Sequence, residues 1–224
     1  MSQKAVTGIE IVLAALILQF ISVASPANGA TPTSAKQMLT KLSVKPESSS
    51  STYVRSKFKI WIDADSDSCD TREEVLIAEA VKKAKTGASC KVISGTWVSK
   101  YDGKTFTNAS QLDIDHMIPL KEAWESGASN WDATTRMAFA NDLGFAGSLI
   151  AVSASTNRSK GDKDPNRWMP SQTNFQCIYV ANWVAVKYRW HLSVDSAEKS
   201  FLVAKLSKCG TSAKVAIPKL AKIH

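Results

Sequence analysis

The apolar positions of this chain change period several times, and each change marks an element. Met38, Leu39 and Leu42 fall at helical spacing inside a Ser/Thr/Lys/Pro-rich stretch, which predicts a short helix and then a linker over residues 31–52. The folded body is expected to start at Tyr53 with YVRSKFKIW. Asp70 or Thr71 can cap a helix whose inner face is Val75, Leu76, Ala78 and Val81. Lys82, Lys83 and Lys85 then lie near its C-terminus, and Gly87 stops it. KVISGTWVSKYDGKTF predicts two strands about a turn at Asp102-Gly103. LDID is a short strand limited by Pro119, and LKEAWESG and WDATTRMAFANDLG are helices ended by glycines. SLIAV is a further strand, with Ser153 placed to cap a helical turn over residues 155–160. CIYVANWVAVKYRW predicts a strongly apolar helix, and SVDSAEKSFLVAKLSKC a second one with Asp195 near its start and Lys208 near its end. AKVAIPKLAKIH has no partner pattern, so residues 211–224 are expected to form a loose basic tail.

Length and leader narrow the class. A chain of 224 residues can bury a real core, and one domain with a tail at each end is the natural expectation. Lys4 precedes the apolar run IVLAALILQFISVA, and small residues follow in SPANGA, which predicts an export signal over residues 1–30. Cys69, Cys90, Cys177 and Cys209 show no C-x-x-C spacing, which argues against a zinc knuckle or thioredoxin-type motif. An even count in an exported chain favours disulfides. Three pairings are open; Cys69 with Cys90 and Cys177 with Cys209 is favoured, because each closes a short loop around an expected helix. Each closure is worth about 3 kcal/mol in the chain-entropy account. The net charge of +8 survives loss of the leader, which carries one lysine and one glutamate. That charge points to an anionic partner without choosing among nucleic acid, anionic polymer and membrane surface.

The candidate chemistry gathers around the rare histidines, of which there are 3. His191 sits between two expected helices in a structural position, and His224 is the last residue. His116 follows an Asp-Ile-Asp run and precedes Pro119. A strand ending in Asp115-His116, a later strand SLIAV and a helix bearing Asn157 can bring Asp115 and Asn157 to one point. Such oxygen ligands suit Mg²⁺ or Mn²⁺, and an adjacent imidazole can act as general base near neutral pH. Arg158, Lys160, Lys163 and Arg167 follow, a cluster fitted to phosphates. At i and i+3, Asn157 and Lys160 share a helical face and are expected to point the same way. A second cation site is suggested by Asp63, Asp65, Asp67 and Glu74, at the first, third, fifth and twelfth positions of an EF-hand-like loop. Ser68 stands where that loop expects glycine, so Ca²⁺ binding and a solvated acidic helix entry both stay open.

LDIDHMIPL followed by LIAVSASTNRSKGDKDP resembles the HNH endonuclease superfamily, in particular its secreted bacterial branch related to the HNH domain of the GmrSD restriction system. The resemblance runs from about Leu39 to Cys209 and includes YVRSKFKIW, CDTREEVL, SGTW and FANDL. It implies an α+β fold over residues 53–210, a ββα-metal core embedded in a mainly helical, disulfide-stapled single domain. It implies Asp115 as metal ligand, His116 as general base and Asn157 as second ligand, with Asp113 orienting the site. Many HNH nucleases carry a further downstream histidine ligand; here the next histidine is His191, and Asp162 is the weak substitute. The expected protein is a secreted, monomeric, Mg²⁺- or Mn²⁺-dependent endonuclease, free of the membrane after signal cleavage. It would cut DNA with little sequence preference, leaving 5′-phosphate and 3′-hydroxyl ends. RNA is the alternative substrate. The rival class is a non-catalytic basic protein that binds nucleic acid or cell-wall polymer.

Overall fold

A computed structural model describes residues 34–224. The expected export signal lies outside the described residues. Among those described, no helix is long and apolar enough to cross a membrane. The larger apolar core is built on helices α1 (Ala35–Lys41), α6 (Gln176–Arg189) and α7 (Ser196–Cys209). Tyr179 to Val186 of α6, Asn182 excepted, are almost wholly buried, as expected of a helix apolar on most faces. Its one buried charge, Lys187, is neutralised by Glu122 at 2.7 Å and Glu198 at 2.8 Å. A disulfide joins Cys177 at the start of α6 to Cys209 at the end of α7.

Both expected tails turn out to be built into the body. Ser34 caps α1, which buries Ala35, Met38, Leu39 and Leu42 in the core. The supposed linker then hydrogen-bonds on both sides: Val194 N–H donates to the Ser43 carbonyl at 3.0 Å and Ser48 N–H to the Glu125 carbonyl at 2.9 Å. At the other end Val215, Ile217, Ala221 and Ile223 pack against the core. Ala221 N–H donates to the Arg189 carbonyl and His224 N–H to Thr135 Oγ1. The apolar residues scattered through AKVAIPKLAKIH are enough to seat a strand-like strap without a helix.

The helix at Thr71 is shorter than its apolar stripe predicts. Helix α2 (Thr71–Glu79) begins on its Asp70 cap but ends early, and Lys82–Thr86 forms strand β1. Strands β2 (Val92–Val98) and β3 (Thr105–Asn108) complete an antiparallel sheet in the order β1-β2-β3. The chain reverses at Ala80 and residues 82–86 pair with β2, while the Cys69–Cys90 disulfide, its Cα atoms 5.0 Å apart, ties the β1–β2 connection back to the start of α2. Val75, Leu76, Val92 and Trp97 then form a smaller core with Leu112, Ile114, Leu149 and Ala151.

Strand β4 (Leu112–His116) pairs antiparallel with β5 (Leu149–Ser153), Asp115 opposite Ile150 and His116 opposite Leu149. Helix α5 (Ala154–Lys160) follows β5 without a loop, because Ser153 is both the last strand residue and the helix cap. Between them lie α3 (Leu120–Glu125), ended before Gly127, and α4 (Ala133–Ala140). The α4 terminus is closed by Asn141, whose Nδ2 donates to the Met137 carbonyl, rather than by Gly144. The outcome is a mixed α and β domain stapled by two disulfides.

Candidate active site

Alternation along β4 divides its side chains. Leu112 and Ile114 enter the smaller core, while Asp113 and Asp115 face α5. Asn157 Nδ2 donates to Asp113 Oδ2 at 3.2 Å, and Arg158 Nε lies 3.8 Å from the same oxygen. One turn later, Lys160 Nζ donates to Asp115 Oδ2 at 2.6 Å and to the carbonyls of His116 and Met117 at 2.8 and 3.0 Å. Tyr101 donates its hydroxyl proton to the same Asp115 oxygen at 2.5 Å. Both donors converge on Oδ2, which leaves Oδ1 as the oxygen able to take a cation.

Burial pushes the Asp115 carboxyl up and the Lys160 amine down, while each opposes the other's shift. The hydrogen bonds decide the state. Three acceptors around one nitrogen need three protons, which only an ammonium carries. The pair is therefore ionised.

His116 closes the end of the strand. Its ring stacks on Trp61 with centroids 5.6 Å apart, and Nε2 lies 2.9 Å from the Ala140 carbonyl. Donation from Nε2 leaves Nδ1 without a proton, as an acceptor. Burial lowers the His116 pKa to about 4, opposed by the Ala140 hydrogen bond and assisted by the charges of Arg55 and Lys160. The ring is neutral at physiological pH.

Asp115, His116 and Asn157 line a single cleft of about 200 Å³, together with Arg55, Arg158 and Asp162. Of the expected residues, Asp113, Lys160, Lys163 and Arg167 do not line it, and Asp113 acts only through its contacts with Asn157 and Arg158. Lys160 is fully buried with its protons engaged, so it braces Asp115 and is not available to phosphate. Lys163 bonds the Ser159 carbonyl, and Arg167 pairs with Asp164; neither is among the residues lining the cleft. Asp162 is largely exposed and 3.5 Å from Lys121. Arg55, Tyr101 and Trp61 were missed. The first carried a signal, a cation interleaved with aromatics in YVRSKFKIW.

The acidic loop also assembles. Oxygens of Asp63, Asp65 and Asp67 lie within 4.8 Å of one another. Ser68, at the position where glycine was expected, adopts φ 76°, the left-handed conformation that such a turn requires. Glu74 is half-buried nearby; burial and then the three aspartates raise its pKa.

Residues 67–205 match the family described as GmrSD restriction endonucleases, C-terminal domain. A protein of Arthroderma benhamiae described as "Uncharacterized secreted protein" is 43% identical over 187 residues, covering 84% of this chain and 90% of its own length. The resemblance is therefore not confined to bacterial chains. No solved structure matches.

Proposed function

The chain belongs to the family of GmrSD restriction endonuclease C-terminal domains, and on that premise we propose that it is a metal-dependent HNH-type endonuclease acting on DNA. The protein is secreted, in keeping with its two disulfides and with the description of its fungal relative. The observation that supports the reading most is the convergence of Asp115, His116 and Asn157 on one cleft beside Arg55 and Arg158. A two-stranded antiparallel sheet running directly into α5 is the arrangement a ββα-metal core needs.

The donor set fits a hard divalent cation. Asp115 keeps Oδ1 and Asn157 its carbonyl oxygen, and both are oxygen ligands of the kind Mg²⁺ and Mn²⁺ prefer. Bound there, the ion supplies stabilisation for charge building on phosphorus and on the departing 3′-oxygen. The protein's own residues do the rest. Nδ1 of neutral His116 takes the proton of the attacking water, and Trp61 and the Ala140 carbonyl hold the ring still. Tyr101 and Lys160 fix the Asp115 carboxylate, and Arg55 and Arg158 hold the phosphates. In-line attack leaves a 5′-phosphate and a 3′-hydroxyl. Ca²⁺ at Asp63, Asp65, Asp67 and Glu74 is part of the proposal, supported by the left-handed turn at Ser68.

Three alanine variants test the division of roles by calorimetric metal titration and plasmid nicking. His116→Ala should keep metal binding and lose about 10²–10⁴-fold in rate. Asp115→Ala and Asn157→Ala should weaken metal binding itself, with partial recovery at high Mn²⁺. Full activity in His116→Ala would sink the mechanism. Cleavage of RNA but not plasmid would change the substrate, and tight DNA binding without any cleavage would favour the non-catalytic rival.

A further inference from the structure

Away from the cleft, in a protein of net charge +8, acidic side chains from four separate segments come together. One carboxylate oxygen each from Glu47, Glu122 and Glu125 lie within 4.8 Å of one another, and Glu47 forms a second such trio with Asp164 and Asp195. The centre of the first trio is not a surface patch. Glu122 is 1% exposed. Its Oε1 accepts from Ser126 Oγ and Lys187 Nζ, both at 2.7 Å. Its Oε2 is sealed from solvent and accepts no hydrogen bond. A buried carboxylate oxygen without a partner marks a missing one.

We propose that Glu47, Glu122 and Glu125 bind a structural Ca²⁺ ion through the free oxygen of Glu122, with Asp164 and Asp195 beside them to complete an all-oxygen shell. The inference does not rest on the nuclease reading. An all-carboxylate cluster selects a hard cation. Ligand atoms within 4.8 Å of one another can share one Ca²⁺ sphere of about 4.6–5.2 Å, and the larger ion tolerates the irregular geometry of ligands drawn from separate segments. Calcium sites on extracellular modules work at about 10⁻⁴–10⁻³ M, a range suited to a secreted protein. Like-charge crowding leaves its mark on Glu47, whose pKa is raised by burial and then by Glu122, Glu125 and Asp195, opposed by the charge of Arg167, which pairs with Asp164.

Position gives the ion its purpose. Glu47 belongs to the segment tied to Val194 and Glu125, Glu122 and Glu125 to α3, Asp195 to the start of α7. Asp164 follows α5. Calcium would fasten these segments together, including the helix that leaves the strand of Asp115 and His116.

The test is thermal unfolding and calorimetry of the oxidised mature protein, stripped with EGTA and titrated with CaCl₂ alone. Asp65→Asn disables the Asp63–Asp67 loop and isolates the cluster. In that background Ca²⁺ at about 100 times its Kd should raise Tm by about 5–10 °C. Adding Glu47→Gln, on a largely exposed side chain that the fold can lose, should weaken the response at least tenfold in calcium concentration. Glu122→Gln removes a partner of buried Lys187 and is the secondary variant. Absence of any calcium response in the Asp65→Asn protein would overturn the site, as would a full response persisting after Glu47→Gln. Cleavage is not the readout, so inactivity toward DNA would leave this inference standing.

Discussion

Replacing Lys160 by methionine tests whether the cleft depends on a cation that solvent never reaches. The change keeps the length of the apolar stem and deletes the ammonium that bonds Asp115 and the carbonyls of His116 and Met117 at 2.6, 2.8 and 3.0 Å. Lys160 is fully buried and Asp115 nearly so. Removing one member of such a pair costs about 3–5 kcal/mol, because the other charge stays buried. The stranded carbonyls add to this, so about 3 kcal/mol is a floor. In a body of this size that lowers Tm by at least about 6–12 °C. Asp115→Asn should cost a similar amount by stranding the ammonium. The double variant removes both charges and should lose at least about 2 kcal/mol less than the sum of the single losses. Unfolding followed by tryptophan fluorescence, with the disulfides intact, measures all three. Under conditions where it is folded, Lys160→Met should also nick plasmid about 10–100-fold more slowly, as when the support of a metal ligand is removed. Lys163→Met, on an exposed side chain, is the control and should stay within about 0.5 kcal/mol. A loss clearly below about 3 kcal/mol in Lys160→Met, or single losses that simply add, would refute the buried pair.

Glu79 gives a pH test. Burial raises its pKa from 4.5 to about 7, opposed by the hydrogen bond its carboxylate accepts from Ala151 N–H. The folded state therefore holds the proton more tightly than the unfolded one. The resulting stability is complete below pH 4.5 and is lost as pH rises through about 7. Discounted for partial exposure, the loss is on the order of 2 kcal/mol. Glu79→Gln should flatten that window and gain a similar amount at pH 8; urea midpoints at pH 5 and pH 8 that fall equally in both proteins would refute it. At the cleft, Arg55→Ala with Arg158→Ala should lower the salt slope of DNA binding by about 0.9 per lost phosphate contact. An unchanged slope in filter-binding titrations would place the DNA path elsewhere.

Much of the site region was legible because its elements carry their own punctuation. SLIAV is bounded by a serine that caps the next helix, and that coincidence fixes strand and helix as one continuous unit. Once β4 and β5 pair, Asp115, His116 and Asn157 have no other place to meet. The cysteine pairing was also legible, from an even count and two short loops. The early end of α2 was not: Val81 continues its apolar stripe, but residues 82–86 pair with β2, a contact that the local period does not carry. Tyr101 and Trp61 were illegible for a different reason. Each reaches Asp115 or His116 from a distant segment, and nothing in their own neighbourhoods advertises it.

Lys160 shows how a correct rule can lead to the wrong surface. Its charge and its neighbours in STNRSKGDKDP suggest a phosphate contact, and i,i+3 spacing does put it on the same face as Asn157. Depth is set by what that face meets. Helix α5 lies against β4, so Asn157 meets Asp113 and the next turn meets whatever stands two residues further along the strand. Two strand residues advance about 6.6 Å and three helical residues about 4.5 Å, a mismatch that a long side chain spans without difficulty. With Asp113 paired to Asn157, the residue awaiting Lys160 is Asp115. The apolar flanks of Asp115 bury the meeting point, so the lysine goes inward with its acid. A lysine three residues beyond a ligand, facing two acids at alternate strand positions, belongs to the strand's electrostatics and not to the substrate's.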